Sequence, residues 1–379
     1  MKRPSTLPDV AIAHDYFVQD GGAERVAIEL ARMFPDAPIY TTFFERDRFG
    51  TRLDASRVRS WPLAGRVSPS PWFRPLLPAY LAHFSRLEVP AARLVISNSS
   101  TFARAVRPQP HAIHIAYVHS PLRFAWDVDG YLARSSFPGA ARLGLRATAP
   151  FLRRWDRWAG SRPDVLVTNS DHVRRSVLAK WHRDSTVIHP PVEVARRGLS
   201  STTEDFYLVA SRLLAYKRVD LAVEACALLD RPLVVAGDGP ERARLERLAG
   251  RRTRFVGHVD QEHLEELQSR ARGLLVPGIE DFGMAAVEVM GVGRPVVGFA
   301  AGGLLETVVD ATTGVLFESA SSRGLATAIE RLESLDLDPA AARRRALEFD
   351  VAAFRRRWCD FLQGVGLGGL LEAETVPAA

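Results

Sequence analysis

The clearest chemical pattern in the chain is the string GIEDFGMAAVEVMGVGRPVV, residues 278–297. Two glutamates, Glu280 and Glu288, stand eight positions apart in it, and Gly283 marks the point where an apolar run gives way to a helical pattern. Open α/β sheets bind ligands at the carboxyl ends of their strands, and the start of a helix attracts anions such as a diphosphate. Carboxylates, in turn, are good partners for vicinal sugar hydroxyls. Two glutamates alone are more typical of solvated helix charges, but Glu288 lies among apolar neighbours, where a charge without a partner is costly.

A pair of cations follows another predicted strand in LVASRLLAYKRVD, residues 208–220. Arg212 and Lys217 lie five positions apart and suit an anionic phosphoryl group. Arginine alone is weak evidence here, because 47 of the 50 basic residues are arginine, a bias typical of a GC-rich coding sequence. Lys217 is one of three lysines, which indicates that a compact point charge is needed at its position.

Three further strings lie at predicted strand ends. GGAER, residues 21–25, contains glycines that let the backbone approach a ligand, whereas AGDGPE, residues 236–241, alone indicates only a tight turn into a helix. YVHSPLRFAWD, residues 117–127, places His119 directly after a strand. His119 is a candidate partner for a proton or a phosphate, although an isolated histidine is more often structural.

The order of elements supplies a scaffold that brings these strand ends together. Short continuous apolar runs alternate with helical patterns, as in parallel sheets covered on both faces. Strands are predicted at 9–13, 38–42, 94–97, 113–118, 164–168, 206–210, 233–236, 254–256, 273–276, 295–298 and 315–317. Helices are predicted near 23–34, 218–229, 240–249, 260–271, 284–291, 322–333 and 339–363. We therefore expect an α/β fold of two Rossmann-like, doubly wound domains, with a linker rich in Pro, Ser and Thr near 190–204.

One segment does not follow this alternation of strands and helices. Residues 61–85 combine Trp, Phe, Tyr and Leu with Pro and Arg. The segment is either a loop and helix that close the core of the first domain, or an interfacial element that touches a membrane surface or an amphiphilic acceptor.

Composition excludes several classes of protein. The 379 residues have a globular composition, and no run approaches the roughly 18–20 apolar residues of a membrane span. Asp9, His14 and Asp15 interrupt any apolar core of a signal peptide. Cys226 and Cys359 form neither a disulfide framework nor a zinc site, and we expect two buried thiols in a reducing cytosol.

The net charge of +6 conceals an asymmetry between the two halves. Residues 1–200 carry 29 basic and 17 acidic side chains, whereas residues 201–379 carry 21 basic and 27 acidic ones. The isoelectric point of about 9.7 suggests a polyanionic partner. However, the basic residues are dispersed and belong to no recognised nucleic-acid-binding motif, so we expect no nucleic acid.

In this order, GGAER, YVHSPLRFAWD, SRLLAYKRVD, AGDGPE and EDFGMAAVE resemble the motifs of retaining glycosyltransferases with the GT-B fold. The chain looks like family 4, also called glycosyltransferase group 1, and within it like bacterial mannosyltransferases that act on lipid-linked saccharides. The resemblance covers roughly residues 8–335, and the R-x4-K and E-x7-E spacings are its specific part. It implies two Rossmann-like domains facing across a cleft. Their boundaries would be 1–192 for the acceptor domain, 193–345 for the nucleotide-sugar donor domain, and 346–379 for a helix and tail that cross back to the first domain.

The same resemblance implies roles for single residues. Arg212 and Lys217 would hold the donor diphosphate and stabilise the leaving nucleotide. Glu280 would contact the hydroxyls of the donor sugar, and Glu288 would hydrogen-bond the donor ribose. His119 would contact the donor sugar near the reacting carbon.

Five further residues would line the donor site, either through backbone groups or because glycine allows the backbone to come close to the donor. Gly22 would approach the diphosphate from the other domain, and Gly237 would lie in the donor site. The backbone of Phe282, Gly283 and Met284 would line the sugar and phosphate site.

The activity implied is transfer of a hexose, with GDP-mannose favoured over a UDP-sugar, to a lipid-linked saccharide or glycolipid in cell-envelope or exopolysaccharide biosynthesis. Retention of the sugar's anomeric configuration would come from attack on the face that the leaving group departs from, through a short-lived ion pair. Double displacement would instead need a carboxylate close to the anomeric carbon, and no carboxylate of the first half stands out for that role. The DVD sequence at 127–129 is too weak a signal for a metal site, so we expect metal-independent transfer with no cofactor besides the donor substrate.

We expect the protein in the cytoplasm, peripheral on the inner face of the plasma membrane. There the basic first half and residues 61–85 would meet anionic lipid. Two other interpretations stay open. A sugar-nucleotide epimerase uses the same architecture but needs only one substrate, and a non-catalytic nucleotide-sugar-binding protein would bind the donor without transfer.

Overall fold

The computed structural model describes residues 9–61, 77–90, 92–133 and 139–370. The chain divides into two compact units: the first comprises Met1–Trp126, Ala147–Pro191 and Phe354–Ala379, and the second comprises Asp127–Arg146 and Val192–Ala353. Each unit is built on one sheet, and every strand pair in both sheets is parallel. The predicted α/β fold with two Rossmann-like sheets is confirmed.

The sheet of the first unit reverses its strand order beside its first strand. Its strands are β1 (Val10–His14), β2 (Ile39–Thr41), β3 (Val58–Ser60), β4 (Leu94–Ser99), β5 (Ile113–Val118), β6 (Val165–Thr168) and β7 (Thr186–Val187). Their spatial order is β3-β2-β1-β4-β5-β6-β7, so the reversal lies between β1 and β4. Sheets of this kind bind ligands at that crevice. Sequence analysis missed β3 and β7, because these edge strands are short, partly exposed and lack a continuous apolar run.

The helices of the first half are more numerous than predicted. They are α1 (Gly22–Met33), α2 (Arg46–Phe49), α3 (Leu77–Arg86), α4 (Arg123–Trp126), α5 (Val128–Ala133), α6 (Gly139–Ser161) and α7 (Asp171–Trp181). α1 buries Val26 and Leu30 against the sheet, as its apolar spacing predicts. α6 escaped prediction because charged residues and the internal Pro150 interrupt its pattern.

The second unit repeats the architecture with the Rossmann strand order. Its strands are β8 (Tyr207–Ala210), β9 (Leu233–Ala236), β10 (Thr253–Gly257), β11 (Gly273–Val276), β12 (Val296–Phe299) and β13 (Gly314–Phe317). The spatial order β10-β9-β8-β11-β12-β13 reverses between β8 and β11. Each of these strands begins and ends within one residue of its predicted bounds.

The helices that follow alternate with these strands and then end the described chain. They are α8 (Val219–Leu228), α9 (Arg242–Leu248), α10 (Gln261–Arg270), α11 (Met284–Gly291), α12 (Leu304–Thr307), α13 (Ser322–Ser334), α14 (Pro339–Leu347) and α15 (Val351–Gly364). On α15, Phe354, Trp358 and Leu362 lie one turn apart and are at most 1 % exposed, within the core of the first unit. The last helix therefore completes the core that the first residues begin.

Part of the segment 61–85 can be placed. Trp61 packs on Tyr80, with ring centroids 6.1 Å apart, and on His83 at 5.2 Å. Tyr80 and Phe84 are buried. For these residues the structure favours the interpretation that they close the core of the first domain. Residues 62–76 lie outside the described chain.

Both cysteines are buried and free. Burial raises the pKa of the Cys226 thiol to about 12, which suits a packing residue rather than a nucleophile.

Candidate functional site

The shortest contact among the predicted site residues joins Lys217 to Glu280. Lys217 Nζ lies 2.6 Å from each carboxylate oxygen of Glu280. Lys217 ends a 3-10 turn after β8, and Glu280 follows β11, so the pair spans the strand reversal of the second sheet. The two side chains are only 15 % and 19 % exposed, which strengthens their attraction relative to a surface ion pair. The structure thus brings a cation and a carboxylate to the position where Rossmann-like sheets bind ligands.

Helix α11 begins directly beside this pair. Its N-cap, Gly283, has φ of 93°, a left-handed conformation that favours glycine, and a Cβ there would lie 2.8 Å from Leu304 Cδ2. The side chain of Phe282 is buried against Phe349, with ring centroids 5.3 Å apart, so its backbone is the part suited to a ligand. Gly283 has no side chain with which to cap the helix, and the first-turn N–H groups and dipole favour an anion near Met284.

The backbone of Glu280 is held by the loop that follows the neighbouring strand, β12. Gly303 N–H donates to the Glu280 carbonyl at 2.8 Å, and Gly302 pairs with Glu280 in an isolated parallel bridge. Sequence analysis missed this support. Its signal in the sequence is the GG pair at 302–303, which begins three residues after the end of β12.

Glu288 has the partner that its apolar surroundings require. It lies on α11, is 8 % exposed, and accepts a 2.7 Å hydrogen bond from Gln268 Nε2 on α10. Gln268 is fully buried and its Oε1 accepts from Arg197 Nη1, also at 2.7 Å. Neither Gln268 nor Arg197 stood out in the sequence, since each looked like one more polar helix or linker residue.

The turns after β8 and β9 lie in contact. Gly237 has φ of 133°, and a Cβ on it would lie 1.9 Å from the Ser211 carbonyl oxygen, so only glycine permits this approach. The adjacent Arg212 is exposed and lies on the same loop as Lys217.

In the first unit, His119 lies just beyond β5 and bonds to a residue on β4. Its Nε2 lies 2.7 Å from Asn98 Oδ1. Asn98 is fully buried, and its Nδ2 donates to the Ala23 carbonyl at 2.7 Å and lies 3.0 Å from His14 Nδ1. Asn98 therefore links His119 to the first turn of α1, which Gly22 begins. Sequence analysis missed Asn98 because a single asparagine in the run LVISNSS carries no motif.

The neighbouring Asp15 organises the loop after β4. Its carboxylate accepts four backbone N–H groups, those of residues 100 to 103, at 2.7 to 2.8 Å, and it is 1 % exposed. Next to it, burial lowers the pKa of His14, whose Nε2 is enclosed without a hydrogen-bond partner. These contacts form a rigid polar cluster at the strand reversal between β1 and β4.

The structure therefore brings the predicted residues together in two groups. Lys217, Glu280 and the start of α11 form one group in the second unit, and His119 and the Gly22 turn are linked through Asn98 in the first. Within the described ranges no group of three or more His, Cys, Asp or Glu side chains is arranged to hold a metal ion. Among the helices described, none is long and apolar enough to cross a membrane.

Two family models match the chain in succession. Residues 20–196 match the model described as Glycosyltransferase Family 4, and residues 193–348 match the model described as glycosyl transferases group 1.

Individual proteins are similar over shorter stretches. A glycogen synthase of Mycobacterium tuberculosis is 38 % identical over 178 residues, 42 % of this chain and 43 % of that protein. A GDP-mannose-dependent alpha-(1-6)-phosphatidylinositol dimannoside mannosyltransferase of the same species is 35 % identical over 135 residues, 33 % of this chain and 35 % of that protein. The chain thus spans less than half the length of these curated relatives. Among solved structures, Anabaena HepE in complex with UDP and glucose has a TM-score of 0.67 at 17 % identity, over 94 % of this chain and 100 % of that one.

Proposed function

Because the chain belongs to the glycosyltransferases of group 1 and family 4, we propose that it transfers a hexose from a nucleotide-diphosphate sugar to an acceptor with retention of configuration. Its two Rossmann-like sheets are those of the GT-B fold. The observation that carries the proposal is the contact of Lys217 with Glu280 at the strand reversal of the second sheet, beside the glycine-capped start of α11.

The chemistry of this site fits the reaction. Cleavage of a sugar–diphosphate bond places negative charge on the leaving phosphate and positive charge on the sugar. Lys217, Arg212 and the first-turn N–H groups of α11 would stabilise the phosphate. Glu280 would accept hydrogen bonds from sugar hydroxyls, and Glu288 from the ribose. The leaving phosphate itself would accept the acceptor's proton during same-face attack.

The donor that we propose is GDP-mannose. The similarity to a relative whose name includes GDP-mannose supports it, whereas HepE was solved with UDP and glucose. The test is a screen of the purified chain against GDP- and UDP-sugars, measured as slow hydrolysis and as thermal stabilisation. Stabilisation and hydrolysis with GDP-mannose are expected. Conversion of the donor to an isomer without any acceptor would establish an epimerase instead, and binding without turnover to any acceptor would establish a binding protein.

Metal-independent transfer is part of the proposal, since the cations Arg212 and Lys217 supply the positive charge that a divalent ion would otherwise bring. Activity should survive EDTA. Complete loss that Mg²⁺ or Mn²⁺ restores would contradict it.

The acceptor that we propose is a lipid-linked saccharide or glycolipid at the inner membrane face. The part of α6 that belongs to the first unit, residues 147–161, supports a membrane contact. Its residues Ala149, Leu152, Asp156 and Ala159 are buried, whereas Phe151 and Trp158 are 64 % and 38 % exposed on the opposite face. Arg154 is exposed between these two aromatic side chains. Exposed aromatic rings interleaved with arginine suit the headgroup region of an anionic bilayer.

A further inference from the structure

We propose that Asn98 is a positioning residue that holds the proton of His119 on Nε2, so that Nδ1 carries the lone pair that meets a hydroxyl group of the donor sugar. This rests on the proposed function for the identity of the ligand. The orientation of the two side chains rests on geometry alone.

The orientation of the Asn98 amide follows from its neighbours. A backbone carbonyl only accepts hydrogen bonds, so the group 2.7 Å from the Ala23 oxygen must be the amide nitrogen of Asn98. That nitrogen also lies 3.0 Å from His14 Nδ1, which itself lies 3.1 Å from the backbone carbonyl oxygen of Asn98. The amide oxygen is then the atom that faces His119. Asn98 cannot turn over without placing its oxygen against the Ala23 carbonyl, which would replace a hydrogen bond by repulsion between two acceptors.

The protonation of His119 follows from the amide. Because Asn98 Oδ1 only accepts, His119 Nε2, at 2.7 Å, must donate. In the neutral imidazole the other nitrogen, Nδ1, then carries the lone pair. The ring is also held in place: Tyr117 packs against it edge to face, with centroids 5.2 Å apart, and His119 N–H donates to the Ser99 carbonyl at 3.0 Å.

This assignment bears on the partner of His119, for which the sequence alone offered a proton or a phosphate. A phosphate oxygen accepts hydrogen bonds, and two acceptors do not attract one another, so a neutral His119 with its lone pair on Nδ1 does not suit a phosphate. A sugar hydroxyl can donate to that lone pair. A neutral His119 is thereby matched to a sugar hydroxyl rather than to a phosphate.

The test uses the full chain with ring-15N-labelled histidine, without ligand. Long-range 1H–15N spectra distinguish the two tautomers, and the signal lost in His119→Gln identifies the residue. The wild type should show the proton on Nε2. Asn98→Ala, with a circular dichroism spectrum like that of the wild type, should shift the signal toward a mixture of tautomers. Asn169→Ala is the matched control, because Asn169 Nδ2 contacts the His119 backbone carbonyl at 3.4 Å and not the ring.

Kinetics add a second readout. Asn98→Ala should lower kcat by about 10- to 100-fold, as for other residues that orient a functional histidine, with less than a twofold change in the donor KM. A proton on Nδ1 in the wild type, or an unchanged tautomer in Asn98→Ala, would overturn the proposal whatever the activity. Should the tautomers behave as stated but no nucleotide sugar be turned over by the wild type, the assignment of Asn98 stands and the transferase function falls.

Discussion

Lys217 Nζ lies 2.6 Å from both oxygens of the Glu280 carboxylate, so the cation and the anion of the proposed donor site neutralise each other when no ligand is bound. A diphosphate must compete with Glu280 for the same ammonium group.

Lys217→Ala should lower kcat/KM by about 100-fold or more, because it removes a preorganised cation from the charge that develops on the leaving phosphate. The variant should stay folded, with an unchanged circular dichroism spectrum. Lys180→Ala, on helix α7 of the first unit, is the matched control and should keep full turnover. Near-normal turnover in Lys217→Ala would argue against the assignment of the donor site.

Glu280→Gln should separate binding from catalysis. Without the competing charge, Lys217 can pair with phosphate, so the affinity for a nucleoside diphosphate should rise several-fold in titration calorimetry. Turnover should fall, because an amide contacts sugar hydroxyls less strongly than a carboxylate does. Weaker binding of the diphosphate would show that Glu280 does not compete for Lys217.

Glu288→Ala should lower the free energy of unfolding by about 1–3 kcal/mol, because the fully buried amide of Gln268 loses its acceptor. Glu288→Gln keeps a hydrogen-bonding side chain and should be less destabilising. Urea unfolding of both variants measures the difference. Equal stability of Glu288→Ala and the wild type would show that Gln268 finds another partner.

The buried His114 should make the folded protein less stable in acid. Burial, with repulsion from Arg162 and Arg183, lowers the pKa of His114 to about 3, against about 6.5 in an unfolded chain. The folded state therefore binds fewer protons than the unfolded state between these values. The stabilising contribution is complete above about pH 6.5 and is lost as the pH falls toward 3, by up to about 1.4 kcal/mol per pH unit. Urea unfolding at pH 7.5 and 5.5 checks this. His114→Gln should weaken the pH dependence, and an unchanged dependence would point to other groups.

The double variant Phe151→Ser, Trp158→Ser should lose binding to vesicles of phosphatidylcholine and phosphatidylglycerol, because α6 would lose its two exposed aromatic anchors. Leu178→Ser, which removes an exposed apolar side chain from α7, is the matched control and should sediment like the wild type. Binding of the wild type should weaken as salt rises. Equal binding to neutral vesicles, with no effect of salt, would contradict the proposed contact.

The strands of the second unit could be predicted almost to the residue, because β8 to β13 are continuous apolar runs bounded by turn residues. The positions of Lys217 and Glu280 followed from those strands, since parallel neighbours end at the same edge. Asn98 and Gln268 could not be found in this way. Asn98 meets His14 across 84 residues of sequence and Gln268 meets Glu288 on another helix, and both pairings depend on register and packing rather than local pattern.

The position of Phe354, Trp358 and Leu362 in the core of the first unit has a consequence for synthesis. A ribosome releases the residues of β1 to β7 first, yet that unit still lacks the helix that closes its core. The stretch Val192–Ala353 of the second unit is continuous and emerges complete before those side chains appear. The nascent chain must therefore keep an unfinished apolar surface until α15 has been made, so a chain that stops before α15 should leave the core of the first unit open.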